Sequence, residues 1–255
     1  MKQSQAKKHD NAMTNKILMG LIALVLGLLF LEILIVHSKN EQQKNASNQV
    51  QTARIMANGD LLYHDGLYMS ALQADGSYDF TENFTYVKPW LKQADLVLGD
   101  FEGTINPDYP LSGYPLFNAP QSVTAAISDA GYDVMDLAHN HILDSGLEGA
   151  FTTADAFKKV GIDPIGVYEK PVRDKAPLLI KNVNGIKVAI LSYAYGYNGL
   201  ESNLTDKEVA DHLSNLDEKR MKAEIQRAEK EADITVIMPQ MGVEYRLEPT
   251  DEQVK

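Results

Sequence analysis

Four short polar segments of this sequence each follow an apolar run, and their side chains are of the types that bind metal ions. They carry Asp60; Asp100 and Glu102; Asn140 and His141; and Gln240 and Glu244. Carboxylate, carboxamide and imidazole groups are the ligands of hard or borderline divalent ions such as Mn, Fe, Zn or Mg. Such an ion polarises a scissile group and activates water. The four segments therefore predict a metal-dependent site of the hydrolase or transferase type.

The segment "DLAHNHILDSG" contains two histidines, His139 and His141, on either side of Asn140. His141 lies at the exit of the predicted strand with Asn140 beside it, and His139 lies further back. We expect one of the two imidazoles to bind the ion and interpret His141, with Asn140, as the catalytic pair. His139 is interpreted as structural. The predicted metal ligands are Asp60, Asp100, Glu102, Asn140 and His141.

A plainer interpretation of the same residues stays open. Gly59–Asp60 is also a common turn dipeptide, and single aspartates at strand ends often cap helices.

Amphipathic segments alternate with short apolar runs through most of the chain, which predicts an α/β fold with largely parallel strands. The predicted strands are 53–60, 94–103, 132–141, 187–194 and 233–242, and the predicted helices are 84–93, 120–131, 146–161 and 206–232. In such sheets ligands gather beyond the carboxyl ends of the strands. The four polar segments lie at those ends, so we expect them to share one pocket.

The N-terminal region has a different character. Residues 17–36, "ILMGLIALVLGLLFLEILIV", are apolar except for Glu32 and are long enough to cross a bilayer as a helix. Four lysines precede this run and two follow it, which favours a cytoplasmic N-terminus. We therefore predict a cytoplasmic tail (1–16), a single-pass transmembrane helix in the cell membrane (17–36), a flexible linker (37–52) and an extracellular domain (53–255).

Composition excludes several classes of function. The sequence has no cysteine, so disulfides, thiolate catalysis and cysteine zinc sites are ruled out. Its formal net charge of -11 argues against a nucleic acid partner, because phosphate binding needs a basic face.

In their order and spacing, the segments "ANGDLLYHDG", "ADLVLGDFEGTI", "LAHNHILDSGLEG" and "MGVEYRLEPTDEQ" resemble the bacterial CapA family. The resemblance implies a layered α/β sandwich similar to calcineurin-like metallophosphoesterases, with a possible divalent metal centre. It also implies a cell-surface role in capsule and poly-gamma-glutamate biosynthesis, as in Gram-positive bacteria. The partners it implies are the cytoplasmic membrane and an anionic surface polymer or capsule synthase subunits.

The sequence departs from the family pattern at three places. Asp100-Phe101-Glu102 stands where the family has Asn-Leu-Glu, and Gln240-Met241-Gly242 stands where it has His-Trp-Gly. The family's Gly-His-x-His-like motif is expected beyond Lys255, so we expect a fragment of a longer reading frame or a truncated product. Two functions stay open: a membrane-anchored, metal-dependent hydrolase or transferase, and a non-catalytic surface scaffold or polymer-binding protein.

Overall fold

The computed structural model describes residues 27–39, 50–172, 175–243 and 245–254, and the chain divides into two compact units at Val50/Gln51. In the first unit, residues 27–39 form helix α1, whose side chains are exposed. Within the described part of the chain, no helix is both long and apolar enough to cross a membrane. The predicted tail, residues 17–26 of the predicted transmembrane helix and residues 40–49 of the linker lie outside the described residues.

The second unit is an α/β domain with two sheets. The first sheet is parallel, in the order β1 (Ile55–Asp60), β2 (Leu96–Asp100), β3 (Val134–Asp136) and β4 (Asp163–Ile165). The second has the order β5 (Leu179–Val183), β6 (Ile186–Ala194) and β7 (Ile234–Gln240). In this sheet β5 is antiparallel to β6, whereas β7 is parallel to it.

The helices of this unit are short except for two. They are α2 (Asp65–Ser70), α3 (Lys88–Leu91), α4 (Val123–Ala130), α5 (Gly146–Lys159), α6 (Asp206–His212), α7 (Glu218–Glu231) and α8 (Asp251–Val254). Single turns of 3-10 helix cover Thr81–Phe84 and Leu200–Asn203.

Alternating side chains along the strands build a four-layer sandwich. On β2, Leu96 and Leu98 pack with Val188 and Ile190 of β6, so the two sheets face each other. Val97, between the two leucines, points to the opposite face. That face is covered by α4 and α5, and the outer face of β6 is covered by apolar residues of α7. This alternation is the period-two pattern of strands with both faces buried.

Two predicted helices differ from the structure. Helix 84–93 is reduced to α3, because Pro89 has no N–H to donate and is accommodated in the first turn of α3. The predicted long helix 206–232 is two helices, α6 and α7. Between them Leu213 is fully buried and forms a bridge with Val167, and the Asp217 side chain caps α7. Burial of this connecting segment outweighs its helical propensity.

The predicted strand 132–141 is also wrong in its second half, because β3 ends at Asp136 and a turn follows. Side chains take up the backbone donors there. Asp136 Oδ1 accepts from the Ala138 N–H at 2.8 Å, and His139 Nδ1 accepts from the His141 N–H at 3.2 Å. The two histidines therefore lie on a turn and not on an extended strand. Strands β4 and β5 were not predicted; β4 has three residues and includes Pro164.

Candidate functional site

Carboxylates line the carboxyl-terminal edge of the first sheet. Asp60 is paired in register with Asp100, and Asp100 with Asp136, so three neighbouring strands end in aspartate. Asp136 is buried and is held by hydrogen bonds from the Ser192 hydroxyl and the Ala138 N–H. Parallel pairing therefore brings together two of the predicted ligands, Asp60 and Asp100, and adds Asp136.

Asp100 is a buried carboxyl group whose negative charge nothing nearby compensates. Its side chain is buried, and its Oδ1 has no hydrogen-bond partner. Burial raises the pKa of Asp100 well above its usual range, and the nearby carboxylates of Asp136, Asp60 and Glu102 raise it further. Like charges crowded in a site of low polarity favour either a bound proton or a bound cation.

The turn after β3 forms a buried histidine–carboxylate pair. His141 Nδ1 lies 2.7 Å from Asp144 Oδ2, and both side chains are almost completely buried. Asp144 Oδ2 also accepts a hydrogen bond from the Phe117 N–H at 2.6 Å, and the Phe117 ring packs edge-on against the imidazole at 4.8 Å. Sequence reasoning missed Asp144. It could have been found from its spacing, because residues three apart come into contact within a single turn.

This pair fixes which nitrogen of His141 faces the acidic edge. A carboxylate accepts, so Nδ1 carries a proton, and Nε2 points towards Glu102, whose Oε1 is 3.9 Å away. That distance is too long for a hydrogen bond. The arrangement matches a histidine oriented by one carboxylate to exchange a proton at its other nitrogen.

His139 points into the protein. It is completely buried, and burial lowers its pKa to about 3, with a smaller contribution from the neighbouring His141. The imidazole is therefore neutral over the physiological range. Its Nδ1 accepts the His141 N–H, so it stabilises the turn that carries Asn140 and His141.

Side-chain amides connect the end of β7 to this turn. Gln240 Nε2 donates to Asn140 Oδ1 at 3.2 Å, and Asn140 Nδ2 donates to Asn198 Oδ1 at 3.2 Å. Asn198 Nδ2 lies 3.4 Å from His141 Nε2. The fourth polar segment thus reaches the site through its glutamine, although β7 belongs to the second sheet. Glu244 lies outside the described residues.

A cavity of about 490 Å³ opens in front of these groups. It is lined by Asp60, Glu102, Asn140 and Gln240, together with residues that follow β7, among them Arg246 and Glu248.

The donor set can be tested against a divalent ion. Among the described residues, no three Asp, Glu or His side chains are arranged closely enough to hold a metal ion. The unpartnered Asp100 oxygen next to Asp60 and Glu102 nevertheless has the chemistry of a cation site, because these oxygens are hard ligands. Asp60, Asp100 and Glu102 therefore have the ligand chemistry of a cation site, but they are not arranged around a common point as three ligands of one ion.

Comparison with known proteins identifies a family to which the sequence is similar. The family model described as "Bacterial capsule synthesis protein PGA_cap" matches residues 54–255. The capsule biosynthesis protein CapA of Bacillus anthracis is 30% identical over 179 residues, which are 67% of this chain and 43% of that protein. The PGA biosynthesis protein CapA of Bacillus subtilis (strain 168) is 25% identical over 249 residues, which are 96% of this chain and 63% of that protein.

The chain thus spans between two fifths and two thirds of the length of these relatives. Among solved structures, a putative 5'-nucleotidase from Staphylococcus aureus, crystallised with alpha-ketoglutarate, superposes with a TM-score of 0.49 at 14% identity. The superposition covers 77% of this chain and 39% of that one.

Proposed function

We propose, from the premise that this chain belongs to the bacterial capsule synthesis protein family PGA_cap, that it acts on a surface polymer during capsule biosynthesis. The proposed reaction class is hydrolysis or group transfer at a polar bond of an anionic polymer such as poly-gamma-glutamate. The two relatives are named for capsule and PGA biosynthesis, which supports the substrate class. The fold that we propose is of the calcineurin-like metallophosphoesterase type.

The observation that carries this proposal is the buried His141–Asp144 pair beside an acidic edge. Asp144 holds the His141 imidazole in one tautomer, with Nε2 directed towards Glu102. A histidine held in this way transfers a proton to or from a reacting group. The proposed role of Asn140, whose Oδ1 accepts from Gln240, is to bind a polar group of the substrate through its side-chain amide.

The acidic edge is proposed as a weak site for one divalent ion, Mn, Fe, Zn or Mg. Asp60, Asp100 and Glu102 would hold it, with Asn140 and His141 next to them as further ligands. When bound, the ion supplies polarisation of the scissile group and activation of water. Its charge would also offset the burial, and the repulsion between neighbouring carboxylates, that raise the pKa of Asp100.

A second function, a non-catalytic surface scaffold that binds the polymer or a capsule synthase subunit, is favoured by one observation. Gln240 stands where the family resemblance implies histidine, and its amide is engaged with Asn140. Carboxamide is a poor substitute for imidazole on a transition metal.

Residues 17–36 are proposed as a membrane anchor that places the domain on the outer side of the cell membrane. The support is their length, their apolar composition and the flanking lysines. Protease added to intact protoplasts should digest the region after residue 52. Protection of that region until lysis would contradict the proposed orientation.

The reaction class is tested with the full chain on γ-glutamyl amide and phosphodiester substrates, with and without Mn²⁺. We expect Mn²⁺-dependent turnover that His141→Ala abolishes. Absence of turnover together with retained polymer binding would favour the scaffold function.

A further inference from the structure

We propose that a cavity lined by α6, α7 and the 3-10 turn Leu200–Asn203 binds a short peptide, with Glu201 contacting its ammonium group and Arg220 its carboxylate. The cavity has a volume of about 950 Å³ and shares no lining residue with the cavity of the candidate site. The inference therefore does not rest on the function proposed above.

Two buried polar atoms of opposite character belong to residues that line this cavity. They are Glu201 Oε2 and Arg220 Nη2. Within the described part of the chain neither atom has a hydrogen-bond partner, so they do not bond to each other. A carboxylate oxygen accepts a hydrogen bond, whereas a guanidinium nitrogen donates one. Because a buried charged group without a partner is unfavourable, a ligand that supplies a donor to Glu201 and an acceptor to Arg220 is stabilised.

The contacts of Arg220 determine which of its nitrogens remains for a ligand. Its Nε donates to Glu224 Oε1 and its Nη1 donates to the Leu213 carbonyl, both at 2.9 Å. The guanidinium carbon lies 5.9 Å from the centroid of the Tyr168 ring. These contacts hold the guanidinium group in place and leave Nη2 to bind one oxygen of a carboxylate.

Glu201 is held by the backbone of its 3-10 turn. The Leu200 N–H donates to the Tyr197 carbonyl, and the Leu204 N–H donates to the Glu201 carbonyl, both at 2.9 Å. Burial raises the pKa of the Tyr197 hydroxyl, and among the smaller effects Arg220 lowers this pKa and Glu201 raises it. Both charges therefore lie near the same side chain, at a separation that one short ligand can span.

The other lining residues favour a peptide over other charged ligands. A volume of about 950 Å³ is near the upper end of the range for small-molecule sites, about 300–1,000 Å³, so the cavity is larger than one amino acid needs. Apolar side chains suited to an apolar peptide side chain are contributed by Leu204, Val209, Ala210 and Ala223. A polyanion is disfavoured, because the lining has more carboxylates (Glu201, Asp206 and Asp217) than basic groups (Lys219 and Arg220).

The test measures the binding of alanyl-leucine to the full chain in detergent by calorimetry. Two derivatives each lack one charge: N-acetyl-alanyl-leucine has no ammonium group, and alanyl-leucine amide has no carboxylate. We expect the chain to bind alanyl-leucine at least about tenfold more tightly than either derivative, because each derivative loses one charged hydrogen bond. Equal affinity for all three compounds, or no binding of alanyl-leucine, would overturn the proposal, whether or not the chain is an enzyme.

A substitution assigns the ammonium group to Glu201. Glu201→Gln should bind alanyl-leucine about tenfold more weakly than the parent chain and no better than it binds the acetyl derivative. The matched control is Glu218→Gln, which removes an exposed carboxylate of α7 that pairs with Lys222 at 2.5 Å, and it should bind like the parent chain. A preference over the acetyl derivative that survives in Glu201→Gln would contradict the assignment. If Glu201→Gln is unstable, the three compounds on the parent chain still decide the proposal.

The carboxylate is assigned to Arg220 through the neighbouring base. Replacing Arg220 would also break its contacts with Glu224 and Leu213, so the variant used is Lys219→Gln. This variant should keep the preference for alanyl-leucine over its amide. Loss of that preference would show that Lys219, and not Arg220, binds the carboxylate.

Discussion

The side-chain amide of Gln240 donates to Asn140 Oδ1 at 3.2 Å, which joins the last strand of the second sheet to the turn that follows β3 of the first. The two residues are 100 positions apart in the chain. Their contact lies in the wall of the cavity that Asp60 and Glu102 also line. It also gives Gln240 a defined partner at the position where the family resemblance implies a histidine.

The His141–Asp144 pair gives a first prediction. In Asp144→Asn, the acceptor of the His141 Nδ1–H is weaker, and the tautomer protonated at Nδ1 is less favoured. Turnover should therefore fall about 10- to 100-fold, as for other carboxylates that orient a histidine. Folding free energy should fall by about 1–3 kcal/mol, because the Phe117 N–H loses a charged acceptor. The control is Asp155→Asn, which removes an exposed partner of Lys159. Equal activity in both variants would show that Asp144 does not orient His141.

The raised pKa of Asp100 gives a second prediction. A carboxyl group whose pKa is higher in the folded chain contributes full stability below its unfolded pKa of about 3.8, and this contribution is lost as the pH rises through the folded pKa. The free energy of unfolding of the parent chain should therefore decline above about pH 4 relative to that of Asp100→Asn. Urea unfolding across the pH range measures this difference. A constant difference would show that Asp100 is not perturbed.

His139 gives a third prediction, with the opposite sign. Its pKa is lowered from 6.5 to about 3 in the folded chain, so its contribution to stability is present above about pH 6.5 and is lost as the pH falls towards 3. His139→Asn should be less sensitive to acid, because asparagine does not titrate and can still accept the His141 N–H. His139→Ala should cost about 1–3 kcal/mol more than His139→Asn, because that N–H loses its acceptor. Equal costs would exclude this hydrogen bond as the role of His139.

A pair of glycines gives a fourth prediction about the scaffold beneath the site. Gly161 and Gly166 both have positive φ, +83° and +91°. A Cβ on Gly161 meets open space, whereas one on Gly166 would lie 2.6 Å from the Ala138 nitrogen and 2.9 Å from Ser192 Oγ. Gly161→Ala should cost about 1–2 kcal/mol for the left-handed backbone. Gly166→Ala should cost about 1–3 kcal/mol more for the close contact. Thermal unfolding of both variants measures the difference, which should be absent if β4 can move away.

Much of the fold could be predicted from local pattern, and the exceptions have physical causes. Strands β6 and β7 were predicted close to their actual bounds, because each is a clear apolar run. The prediction for β2, 94–103, contains the actual strand of five residues. β3 was predicted too long, because the apolar residues Leu137 and Ala138 are buried in a turn and not in a strand. Apolar composition reports burial, and it does not distinguish a buried strand from a buried turn.

The candidate site was predicted in part for a similar reason. Ligands of parallel sheets gather beyond the carboxyl ends of the strands. From this, the sequence predicted that five residues lie in one region: Asp60, Asp100, Glu102, Asn140 and Gln240. Asp144 and Asn198 could not be found in that way, because neither ends a strand. Each contacts His141 from a loop, and tertiary packing determines the path of that loop. Whether these residues act in catalysis or hold a metal stays a prediction.

The proposed binding of one divalent cation at the acidic edge, beside the His141–Asp144 pair, can be measured directly. The most direct measurement is a calorimetric titration of the full chain with Mn²⁺ at a pH above 7, in parallel with Asp100→Asn and the exposed control Asp108→Asn. We expect weak binding of a single ion by the parent chain and by Asp108→Asn, and loss of binding in Asp100→Asn. Binding that survives Asp100→Asn unchanged, or no binding by the parent chain, would contradict it.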